Sequence, residues 1–229
     1  MLIRKGFLIA ALCLVTILPA MSQATTGQSI DDHLLIKESD KGLGVNRSGE
    51  VDGTPYLNDT FANGEVYFDK NKRTVVQARY NMYDDLVEYQ QNNQTLVLDP
   101  DERIKKVKID EHTFIVDKYL YKGKIKHGYF TLLDSGKVTL LSKKVCTFKE
   151  QQAAKALESR ATPAKYVRAP DQFYYIIGNG DLKKVDNIKN MIADFPDQQE
   201  ALTQFVKDKK ISARKEEELL KLVQYYNTL

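Results

Sequence analysis

From Thr54 onward the chain alternates short β-branched and aromatic runs with turn residues, the pattern of closely spaced antiparallel strands. The clearest alternation is Thr74 to Tyr83, where Val76, Ala78, Tyr80 and Met82 fall on one face and Gln77, Arg79 and Asn81 on the other, as a half-buried strand requires. Further strands are predicted over Glu65–Asp69, Leu86–Gln90, Thr95–Asp99, Ile104–Ile109, Thr113–Val116, Lys118–Tyr121, Gly128–Leu133, Lys137–Leu141 and Lys144–Lys149. Turns are expected at Asn63-Gly64, Asp84-Asp85, Asn92-Asn93, Asp134-Ser135-Gly136 and Asn179-Gly180. About ten such strands are enough for a strongly curved sheet, a half-barrel or a sandwich.

After Lys149 the pattern changes. Residues 151–170 hold Ala, Lys, Glu, Arg and two prolines without apolar periodicity, and read as a surface connection. A hairpin follows, Gln172–Ile177 and Leu182–Val185 around Gly178-Asn179-Gly180. Three helices close the chain: Asn187–Ala193; Gln198–Lys209, with Asp197 as cap and Glu200 completing a capping box; and Ala213 to about Tyr226, capped by Ser212. Leu202, Phe205 and Val206 form one apolar stripe, and Leu219, Leu222, Val223 and Tyr226 another. The expected fold is α+β, an antiparallel meander over 54–150 joined through 151–170 to a hairpin-and-helix unit over 171–229 on the same core. The helical stripes are bulky enough to plug the concave face of the sheet.

The N-terminus follows a different rule. Arg4 and Lys5 precede an apolar run from Phe7 to Ala20, and small and polar residues follow, the order of a secretory signal peptide. Cleavage is expected between Ser22 and Gln23, with the bond after Ala24 as second choice, which makes residues 1–22 the signal and 23–53 a polar, flexible lead. The run falls short of the ~20 apolar residues of a spanning anchor. Lipidation of Cys13 is disfavoured because Leu12 stands where a small residue is required. The processed protein would be periplasmic or extracellular, with no transmembrane anchor. Cys146 would be its only cysteine, so no disulfide can form within one chain, and its strand-like surroundings suggest a buried small hydrophobe.

Composition narrows the function classes. The chain is 42% apolar and 28% charged, as folded soluble proteins are, which excludes disorder, collagen and a polytopic membrane protein. Without Arg4 and Lys5, 32 basic residues face 31 acidic ones, so the electrostatic footprint of a nucleic-acid binder is missing. The histidines His33, His112 and His127 read as lead and turn residues, and no Gly-x-Ser-x-Gly elbow is present. No spaced His/Cys cluster suggests a metal, and no cofactor is expected. Asp99, Asp101 and Glu102 around Pro100, and Asp69 with Asn71, offer oxygen ligands for calcium, but Arg73 breaks the EF-hand pattern. Asp84, Asp85 and Glu88 are the acids a glycosidase-like hydrolase would recruit, although turn chemistry alone places acids there.

Several motifs are familiar together: Tyr56-Leu57-Asn58-Asp59 with Phe61, Gly64-Glu65-Val66-Tyr67, Arg79-Tyr80-Asn81-Met82-Tyr83, Gly178-Asn179-Gly180, and Leu219-Leu220-Lys221-Leu222-Val223 before Tyr225-Tyr226-Asn227. From about Gly53 to Leu229 the chain resembles a family of exported Bacteroidetes proteins of unknown function. The resemblance implies export and this order of parts, and it supplies no site residues. A second likeness, at the level of fold only, is to periplasmic lipoprotein carriers with a helix-covered half-barrel. The expected function is therefore an exported, non-enzymatic binding or structural module, whose partner would be a protein, a peptide or an apolar ligand. Its alternatives are a carrier holding an apolar ligand on the face of Val76, Ala78, Tyr80 and Met82, and a hydrolase using the acidic turns. Tyr-rich strands also offer aromatic platforms for sugars or peptides.

Overall fold

The computed structural model describes residues 37–38, 51–68, 72–153 and 161–229. The signal segment with its Ser22–Gln23 cleavage site, most of the lead, His33, Asp69 and Asn71 lie outside the described residues. The described strands are β1 (Lys37–Glu38), β2 (Val51–Asp52), β3 (Ala62–Phe68), β4 (Arg73–Asn81), β5 (Leu86–Gln91), β6 (Gln94–Leu98), β7 (Ile104–Ile109), β8 (His112–Tyr121), β9 (Lys124–Asp134), β10 (Val138–Lys149), β11 (Ala164–Ile177) and β12 (Lys183–Lys184). Helices α1 (Ile188–Asp194), α2 (Gln199–Lys209) and α3 (Glu216–Thr228) follow. The fold is α+β, and no helix among the described residues is long and apolar enough to cross a membrane.

All the described strands join one sheet in the order β1-β6-β5-β4-β3-β7-β8-β9-β10-β11-β12, with β2 beside β11. Every pairing is antiparallel except that of β2 with β11. The sheet cannot be flat. β6 and β9 stand six places apart in the order, about 29 Å at the usual strand spacing. Yet the Tyr129 hydroxyl on β9 donates to the Leu98 carbonyl at the end of β6 at 3.1 Å. The five residues between β6 and β7 make the same demand: they span at most about 20 Å, and on a flat sheet they would have to cross four strand places and run back along the strands as well. The sheet therefore curls on itself, and its concave face becomes an interior.

That interior is filled by alternate residues of the curled strands. Val66, Ala78, Tyr80, Val87, Tyr89, Leu96, Leu98, Val107, Phe114 and Tyr129 are buried together, with the Tyr80 and Phe114 ring centroids 4.9 Å apart. The helices do not plug this space. Met191 and Ile192 of α1, Leu202 of α2, and Leu219, Leu222, Val223 and Tyr226 of α3 pack instead on Val138, Leu140, Phe173 and Tyr175 of β10 and β11. The curl closes β3–β9 around its own side chains, and the helices cover the part of the same sheet face that the curl leaves open.

Several local expectations are corrected. Asn63-Gly64 is not a turn but lies within β3, where a Cβ on Gly64 would come 3.1 Å from the Ala78 Cβ, so the glycine serves a close cross-strand approach. β8 and β10 are each continuous, where polar interruptions at Asp117 and at Ser142-Lys143 suggested two strands apiece. β11 begins at Ala164, so the last third of the expected 151–170 connection is strand, and an irregularity lets Pro170 sit inside it. The caps differ too. Asn187 caps α1, but Asp197 accepts the Tyr226 hydroxyl at 2.9 Å, and Glu218 accepts the Ser212 amide at 2.7 Å.

Candidate functional site

The site forms where β9 and β10 separate. They pair only over Thr131–Asp134 against Leu140–Ser142, so nearer the start of β9 the ladder groups facing β10 have no strand to meet. At Tyr129 two side chains replace the strand. The Tyr129 amide donates to Asp85 Oδ1 at 3.2 Å, and its carbonyl accepts from Lys143 Nζ at 3.0 Å. Lys143 Nζ also donates to Asp85 Oδ2 at 2.6 Å, and the Tyr80 hydroxyl donates to Asp85 Oδ1 at 2.8 Å. One ion pair thus ties β4, β9 and β10 together.

Local sequence builds this arrangement. Asn81 is buried at the end of β4, and its Oδ1 accepts the amides of Tyr83 and Asp84 at 3.0 Å each. The Asx-type turn that results carries Asp85 into the left-handed region, φ 57°, and aims its carboxylate inward. Gly128 makes the space. A Cβ there would lie 2.7 Å from Lys143 Nζ, 2.7 Å from the Tyr119 ring and 2.8 Å from Asp85 Oδ2. The Lys143 ammonium also lies 4.9 Å from the Tyr119 centroid and 4.7 Å from that of Phe130, a cation–π setting out of water. Burial pushes its pKa down, against the pull of Asp85. Burial, reinforced by the charge of Asp85, raises the Tyr119 phenol well above the ordinary tyrosine range.

β11 contributes a bulge. Lys143 pairs with Gln172 and Val145 with Ala169, which leaves β11 one residue longer at Pro170-Asp171, and proline has no amide for the ladder. Lys144 reaches Asp171 at 2.7 Å and Glu216, in the first turn of α3, at 3.1 Å. Over the gap lies a cleft of about 350 Å³. Asp85, Lys143 and Tyr119 line it, with Tyr83, Asp84, Asp99, Tyr121, Lys126 and His127, and Cys146 and Gln172 complete its wall. The His127 Nε2 is buried with no hydrogen-bond partner among the described residues.

The expected site residues scatter. Ala78, Tyr80 and Met82 are buried in the core and Val76 packs against it, so this face is occupied by protein; only Met82 also reaches the cleft. Asp84 and Asp85 line the cleft, but Glu88 does not join them. Glu88 is fully buried on the opposite face of β5, accepting from Arg79 at 2.6 and 2.8 Å and from the Tyr56 hydroxyl at 3.1 Å. The Tyr56 and Phe61 rings cover the Arg79 guanidinium at 3.6 and 4.4 Å. Cys146 is buried, and burial raises its thiol pKa. His112 opens β8 beside Glu111, and His127 belongs to β9 rather than to a turn. Asp101 is taken by Arg103 at 2.7 Å and Glu102 lies 3.7 Å from Lys118. No group of three or more His, Cys, Asp or Glu among the described residues could hold a metal ion.

Lys143, Tyr119, Tyr121 and Gly128 were not singled out from the sequence. The available signal was Ser142-Lys143-Lys144 inside an otherwise apolar strand, together with a glycine in the middle of another. The chain matches no protein-family model, no curated protein and no solved structure.

Proposed function

We propose that the protein is a non-enzymatic binding module, exported through its N-terminal signal segment, and that it takes a polar ligand, a saccharide or a short peptide, in the cleft between β9 and β10. The observation that carries this reading is the structural engagement of the Asp85–Lys143 pair, which holds β4, β9 and β10 together beneath the cleft. Asp85 accepts three hydrogen bonds, and Lys143 is held by Asp85, the Tyr129 carbonyl and two rings. Both side chains thus serve to tie strands together, and Glu88 is held by Arg79 elsewhere. The cleft offers a ligand a wall of tyrosine rings, Tyr83, Tyr119 and Tyr121, with polar groups on Asp99, Lys126 and Gln172. Ring faces with a few convergent polar groups suit sugars and peptide side chains. The residue resemblance to exported Bacteroidetes proteins agrees with export and says nothing of the ligand.

The experiment is an amide-resolved NMR screen with soluble oligosaccharides and short peptides. Binding should move the signals of residues 83–85, 119–127 and 143–146 together, and Tyr121→Ala should abolish the response with folding intact. Turnover of any substrate that is lost on Asp84→Asn or Asp85→Asn, in proteins that remain folded, would replace this reading with the hydrolase.

A further inference from the structure

Residues 115–121 of β8 and 124–130 of β9 pair only with each other. β7 meets β8 no further along than Phe114, and β10 meets β9 only from Thr131. The result is a two-stranded arm turned by Lys122 and Gly123, both at positive φ, as the tight hairpin turn demands. Its end is unusual for a solvated hairpin. Leu120 and Ile125 are direct cross-strand partners, and they are 72% and 75% exposed, the most exposed large hydrophobic side chains among the described residues. The opposite face of the arm carries Tyr119 and Tyr121 against Lys126 and Lys124. From Lys118 to His127 there are four lysines and no acid, in a chain whose charges otherwise nearly balance.

We infer that this arm docks on an anionic lipid surface, inserting Leu120 and Ile125 while its lysines meet the headgroups. Three features select lipid over protein. The apolar end is convex and consists of two side chains, far less than the surface a stable protein interface buries. At the end of the arm the aliphatic pair on one face is backed by Tyr121 and Lys124 on the other, with Lys122 in the turn, so that tip insertion would bring aliphatic, aromatic and cationic side chains to the interface together, where aromatic rings sit at headgroup depth and cationic heads remain in water. Lys118 faces Glu102 at 3.7 Å, and the positive charge of Lys122, Lys124 and Lys126 complements an anionic headgroup layer. The inference does not depend on the ligand proposed for the cleft.

The chain contains no tryptophan, so Leu120→Trp places a single reporter at the tip, and Val75→Trp, at another exposed site, is its control. The probe is phosphatidylcholine vesicles with and without roughly one-third phosphatidylglycerol. Emission from Leu120→Trp should shift to the blue with the anionic vesicles and be quenched by bromolipid, while the Val75→Trp control stays unchanged. Reversing Lys122 or Lys124 to Glu in the Leu120→Trp background should weaken partition about fivefold or more each. Because the readout is local, an N-terminal apolar segment that also touches the vesicle cannot mimic it. Emission that stays unshifted while the chain sediments with the vesicles overturns the inference, as does an equal shift on pure phosphatidylcholine. A blue shift that appears without lipid and grows with protein concentration overturns it in favour of a second copy of the chain.

Discussion

Gly128 is the residue on which the cleft depends most narrowly, because the Asp85–Lys143 pair occupies the volume its side chain would take. Gly128→Ala should displace Lys143 or Tyr119 and lower stability by about 1–3 kcal/mol, the usual cost of overpacking, as read by urea denaturation. Glu88→Ala should cost about 3 kcal/mol, near the lower end for breaking a buried ion pair, because the Arg79 charge is left beneath Tyr56 and Phe61. Neither the Gly128 nor the Glu88 effect requires a catalytic role. Asn227 shows how a motif residue can be wholly structural. Its side chain accepts the Val138 amide at 2.9 Å and donates to the Val138 carbonyl at 2.9 Å and to Asp134 at 2.8 Å, closing the β9–β10 turn. Asn227→Ala should lower stability by about 1–3 kcal/mol through the stranded backbone groups.

At the scale of elements, the strands were legible because a period of two survives any later folding of the sheet. The alternation of Val76, Ala78, Tyr80 and Met82 placed β4 with its buried face correctly, and each helix was anticipated within a few residues. What covers that face was not legible, because alternation cannot tell a sheet that curls on itself from one plugged by helices. That depends on which distant strands meet, as in the contact of Tyr129 with Leu98. The cleft was hidden for a related reason. Lys143 read as a strand break because its partner Asp85 lies 58 residues away. The free arm of β8 and β9 has a dynamic consequence: its outer edges lack ladder partners, so amides of residues 115–121 and 124–128 should exchange with deuterium well before those of β4 and β5. Exchange as slow in the arm as in β4 would mean that another surface covers it.

For the whole molecule, alkali is the telling stress. Tyr80, Tyr129, Tyr119 and Tyr175 all have phenols raised above the ordinary value of 10, first of all by burial, and Tyr226 is pushed up to about 12. A raised phenol holds its proton more tightly folded than unfolded, so its stabilisation is present below pH 10 and is lost as pH rises through the folded value. The lowered pKa of Lys143 acts in the opposite sense, raising stability as pH climbs towards 10.5, but it is one group against several. Stability should therefore fall above about pH 10, and the phenolate absorbance of the buried tyrosines should appear together with unfolding. A full tyrosine titration with the native circular dichroism intact would contradict this.

Native mass spectrometry of the protein purified from the cells that produce it tests most directly whether ligand recognition lies outside the filled interior, in the cleft between β9 and β10. The result expected is the chain mass alone or with a polar adduct, and an adduct that disappears in Tyr121→Ala while the protein stays folded. An acyl chain or other apolar molecule retained by the wild-type protein and unaffected by Tyr121→Ala would show that the curled sheet opens to hold cargo, and would contradict the account.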